Sequence, residues 1–122
     1  MQASNVKAIT DRVLHNDIAL DDEAFLFYLN MSLQELLIDI KPLACIESND
    51  NIGGNEVLII LDTRTHIPKP QEIKSLDESF TLDNDLNYTL AYLIAYNAAL
   101  NAQSKQNFYR DFLKFRGQYL HK

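Results

Sequence analysis

Cysteine, glycine, proline and tryptophan are nearly missing from this 122-residue chain: one Cys, three Gly, three Pro and no Trp. A single thiol, Cys45, cannot close an internal disulfide, so nothing in the sequence ties the protein to an oxidising compartment. Its neighbours Leu43, Ala44 and Ile46 are apolar, which predicts a buried, inert thiol. A shortage of both helix breakers favours long helices over a many-turned all-β fold. No stretch approaches the roughly 18 apolar residues that a membrane span needs. Residues 1–5 are polar and lack a basic region leading into an apolar one, so no secretory leader is expected. Basic charge is also scarce: 11 Lys and Arg face 17 Asp and Glu, a net charge of −6. Free-standing nucleic-acid binding needs cations that displace counterions from phosphates. An acidic surface repels that polyanion, and only residues 105–122 form a short, mildly basic patch.

What is present suits one globular domain, 1–122. Apolar residues make up 47% and charged residues 23%, too apolar for a wholly disordered chain. A first helix is predicted at about 4–15, where Val6, Ile9 and Val13 recur at helical spacing and Ser4 or Asn5 is placed to cap. Asn16 and Asp17 break it. A second helix is predicted at about 22–40. Asp21 or Asp22 occupies its cap, and Asp22 and Glu23 favour its positive end. Phe25, Leu29, Leu33, Leu36, Leu37 and Ile40 form its apolar stripe, widened by Leu26 and Met31. Pro42 ends it.

The region 43–82 reads as a β and loop insertion. Turn formers at 48–51 and at Gly53 and Gly54 separate residues 43–47 from the apolar run 57–61. A hairpin with a long loop fits both flanks, although a run this short is also compatible with a buried helical piece. Residues 63–79 carry Pro68 and Pro70 without a clean period, and read as a loop with room for one short extended piece. A loop of that length points to function or to ordering on assembly.

A third helix is predicted at about 83–103, beginning near Asp83 or Asp85. Leu86, Leu90, Leu93, Ile94, Asn97 and Leu100 mark one face. Ala91, Ala95, Ala98, Ala99 and Ala102 are small on several sides, which predicts close contact with more than one neighbour. Tyr88, Tyr92 and Tyr96 lie four apart and form an aromatic row. A fourth helix is predicted at about 104–120 with Ser104 as its cap. Phe108, Phe112, Phe115 and Tyr119 form its apolar face, thickened by Tyr109, Leu113 and Leu120. Almost no residues join the last two helices, so they are expected to pack as an antiparallel pair. The predicted fold class is mainly α: a four-helix bundle-like domain with a small β-hairpin and a long loop between helices two and three.

Reactive constellations are not evident. The carboxylate pairs Asp21 and Asp22, Asp77 and Glu78, and Asp83 and Asp85 sit at helix starts or in loops, where capping and solvation account for them. His15, His66 and His121 are far apart and have no partner at metal-ligand spacing. No serine lies in a sharp glycine turn. An EF-hand calcium loop starting at Asp50 would need Glu twelve places along, and Leu61 stands there. Gly53 and Gly54 precede a strand-like run rather than a helix, so they do not form a phosphate loop. No catalytic residue, metal site or cofactor is assigned. The two aromatic rows are expected to pack internally, with subunit contact as the main competitor. The helical apolar surface exceeds what four short helices need, which hints at an oligomer.

The order of segments resembles a known family. The stretches that carry the resemblance are Ile9, Thr10, Asp11, Arg12, Val13 and Leu14; Tyr28, Leu29 and Asn30; Leu33, Gln34, Glu35 and Leu36; and Lys41 and Pro42. In the second half they are residues 86–93, Ala98, Ala99 and Leu100, and Tyr109, Arg110, Asp111, Phe112 and Leu113. Together these resemble the head-to-tail connector, or adaptor, proteins of tailed bacteriophages, over about 9–42 and 83–120. The middle of the chain is shorter than that family's sheet region. The resemblance implies a virion structural protein of the neck, made in the host cytoplasm and assembled as a ring, commonly dodecameric, below the portal. Such a ring extends the DNA channel, which DNA only transits, and presents a platform to a tail or stopper protein. It further implies portal docking by the C-terminal tail, here Phe115, Gln118, Tyr119, Leu120, His121 and Lys122. Tyr88, Tyr92 and Tyr96 are the candidates for subunit contact. Two other readings stand beside it: a small helical binding or regulatory module acting through protein–protein contact, and, with least support, a small enzyme.

Overall fold

A computed structural model of the chain describes residues 1–15, 17–54 and 56–121. Asn16, Asn55 and Lys122, which the sequence assigns to a helix break, an oxygen-rich loop and the docking tail, lie outside them. The described residues contain four helices: α1 (Ala3–Leu14), α2 (Asp22–Ile40), α3 (Asn87–Ala98) and α4 (Ala102–Leu120). Between α2 and α3 lie β1 (Glu47–Ser48), β2 (Val57–Ile60) and β3 (Thr65–Pro68), with single 3₁₀ turns at Leu43–Cys45, Asn49–Asn51 and Asn84–Leu86. The fold is mainly α with a small antiparallel sheet inserted between the second and third helices, as the sequence predicts.

The core is built around α3, which packs against α1, α2 and α4. Ala91, Ala95 and Ala98 are all buried, and their small side chains let neighbouring helices approach from several directions. Leu90, Leu93 and Ile94 fill the space between. From α2, Phe25, Leu29, Leu33, Leu36, Leu37 and Ile40 are all buried, the six positions that the sequence stripe names. Phe108 and Phe112 are the buried residues of α4. Ile67, Ile73 and Leu82 carry the insertion into the same core.

Helix ends follow local chemistry, and four differ from expectation. The Asp21 side chain accepts from the Ala24 amide at 2.8 Å, so α2 is capped as predicted. At its far end Lys41 takes a left-handed conformation (φ 54°), its amide donates to the Leu37 carbonyl, and Pro42 prevents continuation. Neither Ser4 nor Asn5 caps α1. Gln2 is its cap and makes no side-chain hydrogen bond. Instead the Ala3 and Ser4 amides donate to the Glu78 and Leu76 carbonyls, both at 3.0 Å. Tertiary structure thus supplies the partners that a side-chain cap would give. The third helix is shorter than predicted. A 3₁₀ turn covers 84–86, and α3 ends at Ala98 because Ala99 is extended (ψ 137°). Consequently Ser104 does not cap α4. Asn101 does, its Oδ1 accepting from the Gln103 and Ser104 amides at 2.8 and 3.1 Å.

Strand pairing is where expectation and structure part most. The strand order is β1-β3-β2, so β1 and β2 do not pair with each other; both pair antiparallel with β3. Glu47 opposes His66, and Ile60 opposes the same residue from the other side. The central strand therefore comes from 65–68, the short extended piece for which the loop reading of 63–79 left room, but in a pairing the sequence did not predict. The hairpin is β2–β3, and Asp62 makes its turn. One oxygen, Oδ1, accepts from the Arg64 and Thr65 amides at 2.7 Å and from the Thr65 hydroxyl at 2.9 Å. Those bonds hold the Asp62 carboxyl below its ordinary range. Residues 43–45 form a 3₁₀ turn rather than a strand, and Leu43 is exposed.

Candidate functional site

The groups that carry chemistry are spread across the molecule. His66 is buried, with Nδ1 3.1 Å from Asn49 Oδ1. His15 and His121 are exposed at the ends of α1 and α4. The carboxylates hold backbone and side chains in place: Glu78 accepts from the Lys74 and Ser75 amides, and Asp83 from the Tyr119 hydroxyl. Among the described residues no group of three or more His, Cys, Asp or Glu is placed to hold a metal ion. Cys45 is buried, as expected, and its thiol faces the Thr81 carbonyl at 3.4 Å. Burial, with nearby Asp83, pushes its pKa up, which lowers its thiolate fraction and its reactivity. No described helix is long and apolar enough to cross a membrane.

The tyrosine row lies on the seam between α3 and α4. The Phe115 ring stacks on both Tyr88 and Tyr92, at centroid distances of 5.6 and 5.3 Å. Tyr96 packs on Tyr109 at 5.1 Å, and Lys105 Nζ sits over the Tyr96 ring while donating to the Tyr96 carbonyl at 2.7 Å. Offset stacks of this kind add to area burial. Within the chain, therefore, all three tyrosines contact α4, and Tyr88 still leaves 42% of its surface open. The proposed docking tail divides in two. Phe115 and Tyr119 turn inward and are half-buried; Gln118, Leu120 and His121 face outward.

Two apolar surfaces face away from the core, and both correct the sequence assignment. Met31, placed with the core stripe of α2, is exposed, together with Phe27 at 64% and Ile38 at 45%. At about 100° per residue these three cluster on the side of α2 opposite Leu29, Leu33 and Leu36. Leu26 is half-buried. The spacing of 27, 31 and 38 was visible in the sequence, but a helix with apolar residues on two faces does not announce which face is covered. On α4, Tyr109, Leu113 and Leu120 do not thicken the Phe108–Tyr119 face. They form a separate half-open row, each between 43% and 46% exposed, in which Tyr109 also packs on Tyr96 and, with Leu113, borders a hollow between α2 and α4. Leu100, assigned to the face of the third helix, is exposed because α3 has already ended.

The α2 surface borders a groove of about 1040 Å³ between that helix and the insertion. Phe27, Met31, Ile38, Pro68 and Pro70 give it an apolar floor and wall. Glu35, Glu47, Glu56 and Glu72 line it as well, with Lys69 as its one cation among the described residues, 3.2 Å from Glu56. A second hollow of about 390 Å³ lies under residues 70–81 beside Cys45, and a third of about 350 Å³ separates α2 from α4. Arg116 bridges α4 to α2 at the third: its Nε and Nη2 donate to the two oxygens of Asp39 at 2.6 and 3.0 Å. This paired geometry raises the Arg116 pKa further. The arrangement leaves apolar surface rimmed by charge. Comparison with protein-family models, curated proteins and solved structures returns no match to this chain.

Proposed function

We propose that this chain is a structural subunit that acts by assembly and catalyses no reaction: a head-to-tail connector of a tailed bacteriophage, arranged as a ring below the portal. The single observation carrying the assembly reading is that α2 is apolar on two opposite faces, of which one is buried in the subunit. A clustered apolar patch left exposed marks a surface for another chain, and Phe27, Met31 and Ile38 are buried when such a chain covers them. The choice of connector rests on the helix-face pattern that resembles that family. In this reading the exposed Gln118, Leu120 and His121, seated by Phe115 and Tyr119, meet the portal. Tyr88 is the member of the tyrosine row open to a neighbour, while Tyr92 and Tyr96 act by seating α4. A net charge of −6 suits a passage that DNA crosses without adhering. The distal face meets a tail or stopper protein, and the assembled protein resides in the virion neck.

The test is native mass spectrometry of the purified chain, alone and with a portal protein from the same genome. Ring-sized species in either condition are expected. A chain that stays monomeric and passes the portal by in both conditions sinks the reading and leaves a monomeric binding module in its place.

A further inference from the structure

We propose that the outward face of α4 in one copy seats in the α2 groove of a second copy, head to tail. This inference rests on the assembly reading above and names the two surfaces that meet. The first is Tyr109 and Leu113, one helical turn apart and 43% and 44% exposed, Tyr109 resting on Tyr96 and leaving the remainder of its surface open, with Arg110 and Lys114 along one side of the pair. The second is the groove floored by Phe27, Met31 and Ile38.

Charge selects this pairing over others. Apart from Asp111, every charged residue of α4 is basic: Lys105, Arg110, Lys114 and Arg116. Arg116 is engaged with Asp39, and Lys105 with the Tyr96 carbonyl. Arg110 makes one loose contact, 3.6 Å to its exposed neighbour Asp111, and Lys114 reaches toward the Phe115 ring at 5.6 Å. These two cations flank the apolar pair on the solvent side. The groove offers the opposite sign, four glutamates against one lysine already close to Glu56. An apolar stripe with a cationic flank thus faces an apolar floor with anionic walls. Complementary charge of this kind fixes register and rejects wrong pairings. Two different patches of one chain make the contact heterologous, the kind that closes rings when the rotation allows. Portal contact stays with residues 118–121, so neighbour and portal do not compete for Tyr109 and Leu113.

A reciprocal charge exchange tests the seam. Variant one carries Arg110→Glu and Lys114→Glu; variant two carries Glu47→Lys and Glu72→Lys. Both change exposed side chains, and circular dichroism checks that each stays folded. Each variant alone is expected to need at least about tenfold higher concentration to assemble, because like charges then oppose across the seam. An equimolar mixture is expected to recover wild-type assembly, since each altered helix finds an altered groove. Wild-type assembly should also weaken as salt rises from about 0.05 to about 0.5 M. If wild type forms rings and both variants form them equally well, the seam is wrong while the assembly reading stands. If each variant is impaired and the mixture is not rescued, the seam is again wrong. If rings persist in variant two and only portal capture is lost, the groove belongs to the portal. A wild-type chain that never assembles, alone or with portal, removes the underlying reading itself.

Discussion

The Tyr119 hydroxyl donates a 2.6 Å hydrogen bond to Asp83 Oδ2 and ties the last turn of α4 to the residue that opens the approach to α3. The two positions are 36 residues apart in sequence. This bond, with burial adding to it, pushes the Tyr119 pKa up from its ordinary value near 10 to about 12. A folded-state pKa above the unfolded one means that the folded chain holds the proton more tightly. The bond's stabilisation is therefore complete below about pH 10 and drains away as pH rises toward about 12. Burial, with nearby Asp111, raises the Tyr92 pKa as well, so in an alkaline absorbance titration Tyr119→Phe is expected to remove the Tyr119 contribution at about pH 12 while the Tyr92 shift stays. The same substitution should cost about 1 kcal/mol. An unchanged titration curve in the variant counts against the bond.

Phe25 and Phe27 stand two residues apart on α2 with opposite surroundings, 0% and 64% exposed. Phe25→Ala should lower unfolding free energy by about 3–5 kcal/mol in a denaturant titration, through lost burial and a cavity. Phe27→Asp should leave that titration within about 0.5 kcal/mol of wild type. Its effect is expected in the assembly measured by native mass spectrometry. Equal stability losses in the two variants would contradict the arrangement.

Asn30 holds the long insertion to α2. Its amide donates to the Ile73 carbonyl at 2.9 Å and accepts from the Ile73 amide at 2.8 Å, with a further bond to the Leu26 carbonyl. Ile73 is buried, so Asn30→Leu strands two of its backbone groups. A cost of about 2–3 kcal/mol is expected, with faster protease cleavage within 69–79. Cleavage at the wild-type rate in the variant would show that something else holds this segment.

Asn101 and Ser104 separate the observed cap of α4 from the one predicted by sequence. Asn101→Ala should destabilise the protein by about 1 kcal/mol. Ser104→Ala should do less, since Ser104 lies inside the helix and contributes its amide rather than its side chain. The reverse order in thermal melts would restore Ser104 as the start of the helix.

Sequence alone was enough for four helices, for the buried face of α2 and for the inert placement of Cys45. Each is dictated by short-range regularity: a 3.6-residue period, a capping aspartate, a proline after the last turn, an apolar neighbourhood. The crowding of alanines correctly announced that α3 would have several neighbours. The sheet was not legible at the level of pairing, because β3 is four residues long and carries Pro68, so its pattern resembles loop. Its identity as the central strand follows from β1 and β2 lying on either side of it. The candidate site was legible only as a surplus of apolar residues. Which of them face outward depends on where α3 and the insertion come to lie against α2 and α4, and those are long-range contacts that no local period encodes. Sequence therefore determined the four helices and most of their buried faces, through interactions among residues a turn or two apart. Tertiary structure decided the pairing of the strands and the cap that tertiary hydrogen bonds replace at α1. It alone decided which apolar stripes remain uncovered, because burial belongs to the packed whole.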